Sequence, residues 1–483
     1  MRRRRFTAAL IAVFVVSRVA YYAAGVRFGI GPRITMIQLL PQHLLQHDLV
    51  RSLWYLNAQP PLLNALYGVL LHVPLGRSFV FASVYIAMGL ALALTMFALL
   101  RELAVPDAAA FWATVVFAVS PMTVLYENWP LYTYPVALLL CLATLCFARF
   151  FRTRALRYAA GCSGALALLA LTRATFHLVV VVAACALLFA GCSRQQRLAA
   201  AVAIGLPCAL VAGLYLKNEM LFGDPSASSW LGMNLAHMMF RDQSPELRAD
   251  VASGYLSRQA LIVPFVGLDR YGAAQPHTGV PALDEMTDDG LPNYNNRAYI
   301  AISRRYERDV VRYVRRNPQL YLDRVAAGFR TYFASPADYL ALRANRSEVL
   351  RAAQVENRLL GQFHDVVPPV PRNPATPAWD EIAWLPVLGY AAVVGAGVVL
   401  GWRMLRRRSA RTVTARTVVF ASALVTYTMV VSNTVEFGDN NRFRFETDAL
   451  VWVVVVALVT AAVARRQRRA GRRGAPAVSL TAL

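Results

Sequence analysis

The stretch His47-Asp48-Leu49-Val50-Arg51-Ser52-Leu53-Trp54-Tyr55-Leu56-Asn57-Ala58-Gln59-Pro60-Pro61-Leu62-Leu63-Asn64 follows the first apolar segment of the chain. It holds an acid, an arginine, amides and a Pro-Pro pair that opens a new apolar run. It is too polar for the lipid interior and too apolar for an ordinary loop. It reads as a half-buried loop and helix lying on a membrane surface, with Asp48 facing a cavity. The remaining chain then serves as the scaffold that holds this loop.

Composition supplies the membrane. Of 483 residues, 57% are hydrophobic and only 16% are charged. Soluble domains carry about 25% charge. Mean hydropathy is +0.43, and apolar runs of about 20 residues recur, the length that crosses a bilayer as a helix. The expected fold is an all-α polytopic membrane protein of about ten transmembrane helices.

A net charge of +23 could point to nucleic acid, but its placement argues otherwise. The clusters Arg2–Arg5, Arg149–Arg157, Arg403–Arg416 and Arg465–Arg473, with Arg101, Arg194 and Arg197, lie between or beyond apolar runs. Together they hold 23 of the 50 basic residues, opposed only by Glu102 and Asp107. They therefore account for +21 of the net charge, which is the positive-inside pattern of cytoplasmic loops. No nucleic-acid partner is expected. The expected setting is a bacterial inner membrane, with both termini cytoplasmic. The six cysteines fall in apolar segments or at their cytoplasmic ends, so neither a disulfide framework nor a zinc spacing is read.

Taken in order, Phe6–Val26 reads as a retained helix interrupted by Arg18, and 27–77 as the first exported loop. Within that loop, Pro60–Pro74 is apolar but too short to span. Spans follow at Ser78–Leu100, Ala108–Tyr126 and Tyr134–Phe151, with Glu127–Thr133 a short exported turn. Tyr158–Cys192 holds two spans whose tip is Thr172–His177, and Leu198–Leu216 exits once more. These make an N-terminal membrane module, 1–217. Residues 218–380 form one exported, mostly helical soluble domain. In it, Asn296–Phe333 places Tyr299, Ile302, Tyr306, Val310, Tyr313 and Val314 on one helical face. Val367–Pro377, with five prolines, reads as an extended connector. The last part, 381–483, holds three spans and a basic tail, with Glu436–Asp448 a short exported loop. Neither an internal repeat nor an interrupted span is read.

Polar residues collect on the exported side. They are Asp48 with Arg51, Asn57 and Gln59; Glu127 with Tyr132; Arg173 with His177; and Glu436–Phe445, with Lys217 a fifth element. Solvated loop acids and snorkelling arginines explain each of these singly. Their convergence on one face points to a site.

This layout resembles the membrane-embedded GT-C glycosyltransferases, which use a polyprenyl-phosphate sugar as donor. The resemblance rests on Asp48 before Pro60-Pro61-Leu62, on Glu127 between the third and fourth spans, and on Asn441-Arg442-Phe443-Arg444-Phe445 opening the last exported loop. Many members carry an acidic pair early in the first loop. Here Ile37–Gln42 offers no acid, which leaves Asp48. The resemblance implies sugar transfer to a glycan, lipid or protein acceptor on the exported face. Asp48 would be the general base and Glu127 a second acid that positions the acceptor. Arg173, Lys217, Arg442 and Arg444 would hold the donor phosphate, because the guanidinium fork matches phosphate geometry. Arg51, Tyr55, Asn57, Gln59, Tyr132 and Asn441 would position substrate. No cofactor is required on this reading, and too few acids surround Asp48 to call for a metal. The residues also admit a transporter or flippase of lipid-linked saccharides, or a polymerase or ligase of them.

Overall fold

The computed structural model describes residues 2–30, 36–273, 276–286, 292–364 and 379–473; the Val367–Pro377 stretch lies outside them. Among the described residues every regular element is helical. The first part of the chain forms α1 (Arg2–Ala23), α2 (Gln42–His47), α3 (Leu49–Trp54), α4 (Leu62–Leu71), α5 (Arg77–Glu102), α6 (Asp107–Val119), α7 (Pro121–Glu127), α8 (Thr133–Thr153), α9 (Leu156–Thr172), α10 (Leu178–Ala190) and α11 (Arg197–Phe222). The polar segment forms α12 (Leu231–Met239), α13 (Pro245–Ala252), α14 (Pro281–Asp284), α15 (Ala298–Arg316), α16 (Pro318–Tyr332), α17 (Arg343–Glu348) and α18 (Leu350–Leu359). Three long helices close the chain: α19 (Trp384–Arg406), α20 (Val413–Val435) and α21 (Asn440–Arg473).

Seven of the described helices are long and apolar enough to cross a membrane, and α6 with α7 makes an eighth if the bent pair is one span. Ten spans were expected. The two that fall short are α9 and α10, of 17 and 13 residues. At 1.5 Å per residue they reach about 25 and 20 Å, less than the roughly 30 Å hydrocarbon core. Their hairpin tip falls between Thr172 and Leu178, as the polar break predicted. The Pro60–Pro74 run becomes α4, a short apolar helix of 10 residues.

The arginine-rich loops meet at one end of the bundle. Arg149 and Arg152 pair with Glu102 at 3.2 and 2.7 Å, and Arg101 pairs with Asp107 at 2.8 Å. Arg154 donates to Gly191 O at 2.8 Å. Phe6 of α1 packs against Phe111 of α6 at this same end.

The polar segment caps the opposite end and shares its core with the bundle. Asn57 donates through Nδ2 to Asn295 O at 2.8 Å, and Tyr321 of α16 donates to Thr434 O at 3.0 Å. The predicted long helix over 296–333 is two helices, parted at Asn317. Pro318 has no N–H to continue the ladder and opens α16 instead, a position where Pro is tolerated. The predicted apolar face holds: Tyr299, Ile302, Tyr306, Val310 and Tyr313 are buried and Val314 is half-buried.

The apolar run over 108–126 is broken into a bent helix pair, contrary to the sequence reading of one continuous span. Between α6 and α7 the axis turns by 60° at Ser120-Pro121. Pro121 cannot donate to Phe117 O, and extended Ser120 (ψ 141°) breaks the ladder. Each freed group nevertheless finds a partner. Ala118 O accepts from Arg18 Nη1 at 2.7 Å, and Val119 O from the Tyr21 hydroxyl at 2.9 Å. Met122 N donates to Glu356 Oε2 at 2.9 Å, and Thr123 N to Ser120 Oγ at 3.3 Å. A broken helix is tolerated at membrane depth only when its backbone is re-satisfied in this way.

Candidate functional site

Arg442 is the centre of the polar cluster at the capped end. It was expected in a loop, but α21 begins at Asn440, so Arg442 lies in the first turn of a long helix. Its guanidinium is buried. Aromatic rings wall it in: Phe443 at 4.7 Å, Tyr132 at 5.6 Å, Tyr339 at 5.7 Å and Trp129 at 5.8 Å, measured to ring centroids. Its Nη1 donates to the Tyr132 hydroxyl at 3.4 Å and its Nη2 pairs with Asp439 at 3.1 Å. Its Nε is buried without a hydrogen-bond partner. Asp439 also accepts from the Tyr339 hydroxyl at 3.1 Å, and its side chain is 38% exposed, so this carboxylate is the open edge of the cluster.

Arg173 stands beside Arg442 on the same two rings, 4.2 Å over Phe443 and 5.5 Å from Tyr132. It is buried and paired with Glu446, one turn further along α21. The other Glu446 oxygen has no hydrogen-bond partner. Glu436 closes the cluster on the loop side. Loss of hydration, then the neighbouring Asp439 carboxylate, pushes its carboxyl up to about 7. Two cations thus share two rings, each paired with a carboxylate, and Arg442 keeps one N–H without a partner among the described residues.

Arg444 does not join them. Two residues along a helix is a turn of about 200°, and its guanidinium goes to Asp448 at 3.2 Å and Phe333 O at 3.1 Å. Asn441 points to the polar segment, where Nδ2 donates to Ser335 O at 3.1 Å, while its Oδ1 accepts from Arg442 N.

No family model, curated protein or solved structure matches this chain.

Glu127 was expected in an exported turn. It is instead the last residue of α7, fully enclosed, with Oε1 accepting from Arg18 Nε at 2.8 Å and Oε2 from Arg18 Nη2 at 2.6 Å. The Tyr134 hydroxyl donates to Oε2 at 3.3 Å. Gly89 of α5 lies against it so closely that a Cβ there would collide with Oε2. Each oxygen accepts a hydrogen bond from within the bundle, so Glu127 is held as a structural partner of Arg18.

Asp48 lies half-buried at the joint of α2 and α3, and its side chain has no hydrogen-bond or ion-pair partner among the described residues. A chain of contacts ties this joint to the arginine cluster. The Leu49 side chain packs on Gly68, the neighbouring Tyr67 hydroxyl donates to Pro130 O, and Tyr132 follows two residues later.

Most of the other residues read from the first loop, and Lys217 of α11, bind structure. Asn57 accepts from Ser229 Oγ at 2.8 Å besides gripping Asn295. Lys217 donates to Leu56 O at 2.7 Å. Tyr55 packs with Phe222, Leu283 and Ile300, and exposed Arg51 reaches Gly279 O at 3.5 Å. Gln59 is half-buried without a side-chain partner among the described residues. A groove of about 300 Å³ lined by Met239, Asp242, Tyr313 and Arg324 lies in the polar segment, and none of the arginine cluster lines it.

Sequence reasoning missed Arg18 as the partner of Glu127, and it missed Glu446, Tyr339 and Glu356. The signal for the first was present. A lone charge inside an apolar run needs a partner, and Arg18 is such a charge.

Proposed function

We propose that this protein is a membrane glycosyltransferase that moves a sugar from a polyprenyl-phosphate carrier to a cell-envelope glycan, lipid or protein. The face carrying the Arg442 cluster is the exported one, opposite the arginine-rich loops. Support comes chiefly from one observation: Arg442 and Arg173 share the rings of Tyr132 and Phe443, and Arg442 keeps a buried N–H free.

In this reading the departing lipid phosphate takes the place of Asp439 on Arg442, and Arg173 adds a second positive charge. Fixed cations in a dry site stabilise charge that develops on a leaving group. Asp48 removes the proton from the acceptor hydroxyl as the new glycosidic bond forms and the bond to phosphate breaks. Trp129 and Tyr339 offer apolar faces beside the cation. Glu127 is reassigned here from an acceptor-positioning acid to a structural partner of Arg18. Lys217 holds Leu56 O and Arg444 holds Asp448 and Phe333 O, so the phosphate is assigned to Arg173 and Arg442, which share the rings of Tyr132 and Phe443.

A transporter or flippase of lipid-linked saccharides is the second reading. The interrupted span favours it, because broken helices carry substrate sites in transporters. Against it, every backbone group freed at this break is taken by the protein itself. The deciding experiment uses the full chain in proteoliposomes with a radiolabelled polyprenyl-phosphate sugar and envelope extract as acceptor. Label appearing in acceptor supports transfer. Label that only changes leaflet, still on its carrier, supports the second reading and overturns the first.

A further inference from the structure

Helix α15 carries a row of four arginines, of which the fold uses only Arg304 among the described residues. Taken at 100° per residue, Arg297 at the N-cap, Arg304, Arg308 and Arg315 fall within an arc of about 40°. They run along roughly 27 Å of helix at 1.5 Å per residue. Directly opposite lies the buried face of Tyr299, Ile302, Tyr306, Val310 and Tyr313. All four arginines are exposed, and Arg297, Arg308 and Arg315 have no side-chain partner among the described residues. A solvated helix face mixes charges of both signs; within this arc there is no acid.

Position gives the row its partner. Arg304 donates to Gly223 O and lies 4.0 Å from Asp224, the two residues that follow the membrane helix α11. Ile300, one turn earlier, packs on Phe222, the last residue of that helix, and both touch Tyr55 at the end of α3. The row therefore starts at the membrane rim. The elements that meet here carry exposed apolar side chains: Val50 and Trp54 of α3 are 81% and 56% exposed, Met220 of α11 is 77% exposed, and Val311 at the edge of the row is 44% exposed. Exposed apolar groups and unpaired guanidiniums at the end of a membrane helix are the composition of a surface that rests on a bilayer.

We propose that α15 lies along the bilayer surface and that Arg297, Arg304, Arg308 and Arg315 bind the phosphates of anionic phospholipid headgroups. This contact fixes the polar segment at a set height over the membrane end of the bundle. Guanidinium-to-phosphate pairing supplies the chemistry, and an anionic leaflet supplies phosphates at the density a 27 Å row of about four charges needs. The inference does not depend on the proposed transfer reaction.

The test is amide hydrogen exchange over 298–316 in the full chain, in nanodiscs of phosphatidylcholine alone or with phosphatidylglycerol added. Exchange is expected to slow several-fold with phosphatidylglycerol. That difference is expected to vanish in the double variant Arg308→Gln/Arg315→Gln. Both residues are exposed and unpaired, so exchange in the buried α12 should match wild type and show that the variant is folded. Equal exchange in the two lipids overturns the proposal, as does a phosphatidylglycerol effect that survives in the variant. If inorganic phosphate or soluble polyphosphate slows exchange equally well in phosphatidylcholine discs, the row binds a free anion and the membrane assignment falls.

Discussion

Arg18 and Glu127 lie 109 positions apart in the chain and meet through two parallel hydrogen bonds of 2.8 and 2.6 Å, both side chains almost wholly buried. The pair does more than neutralise two charges inside a membrane bundle. The third arm of Arg18 reaches Ala118 O, the carbonyl freed by the break between α6 and α7. One residue of the first helix thus holds both sides of the interrupted span.

Breaking this pair from one side strands a buried charge, which typically costs about 3–5 kcal/mol. Arg18→Met should therefore lower the unfolding midpoint in detergent sharply. Arg18→Met/Glu127→Met should recover part of the loss, because no charge is then left alone. Gly89→Ala should act like a single variant, since its methyl group would displace Glu127. A stable Arg18→Met protein would show that the pair is dispensable.

Asp48 has no partner to lose among the described residues. Asp48→Asn is expected to express, insert and unfold like wild type, with a change below about 0.5 kcal/mol as for ordinary surface substitutions. If Asp48 is the general base, turnover should fall by about 10²–10⁴-fold, equivalent to roughly 3–5 kcal/mol of barrier. Single-turnover transfer with saturating donor separates the two effects. Wild-type turnover in the variant would remove Asp48 from the reaction.

Arg442 and Arg444 should respond differently, although the sequence makes them look interchangeable. Arg442→Lys keeps a charge but loses the planar fork, and donor binding is expected to weaken about tenfold, the equivalent of 1.4 kcal/mol. Arg444→Lys should leave donor binding unchanged and lower stability, because that guanidinium holds Asp448 and Phe333 O. Equilibrium binding of a polyprenyl-phosphate sugar to each variant decides it. Equal losses in both would mean that the two side chains share one ligand.

Glu356 brings a pH dependence. Burial pushes its carboxyl up from 4.5 to about 7, although Met122 N and Ser120 partly oppose the shift. The folded state therefore holds this proton more tightly than the unfolded chain does. Its contribution is fully present below about pH 4.5 and is lost as pH rises through about 7. At 1.36 kcal/mol per pH unit the loss is up to about 3 kcal/mol. Glu356→Gln keeps an oxygen for Met122 N and cannot ionise. Its unfolding midpoint should fall less between pH 5 and pH 8 than that of wild type, on the order of a few degrees less. Parallel pH profiles for the two proteins would rule Glu356 out as the titrating group.

Much of this protein was legible in the chain. Apolar runs and clustered arginines are local properties, so seven or eight of the ten expected spans and the grouping of basic loops at one end followed from counting. The 172–177 tip and the buried face of α15 followed from a polar break and a 3.6-residue period. Helix ends were harder to read. The run from Asn440 to Asp448 looked like a loop because it is polar, yet it forms the first turns of α21, where its charges are satisfied partly by Asp439 and Asp448 nearby and partly by Arg173, Tyr132 and Phe333 O, which lie far away in sequence. Only the tertiary structure could join Arg18 to Glu127, Arg173 to Glu446, or Glu356 to Met122. It also turned Arg442 and Arg444 to different surroundings. The reason is physical. A buried charge requires a partner, and the sequence states that requirement, but which distant residue meets it depends on how the helices pack side by side.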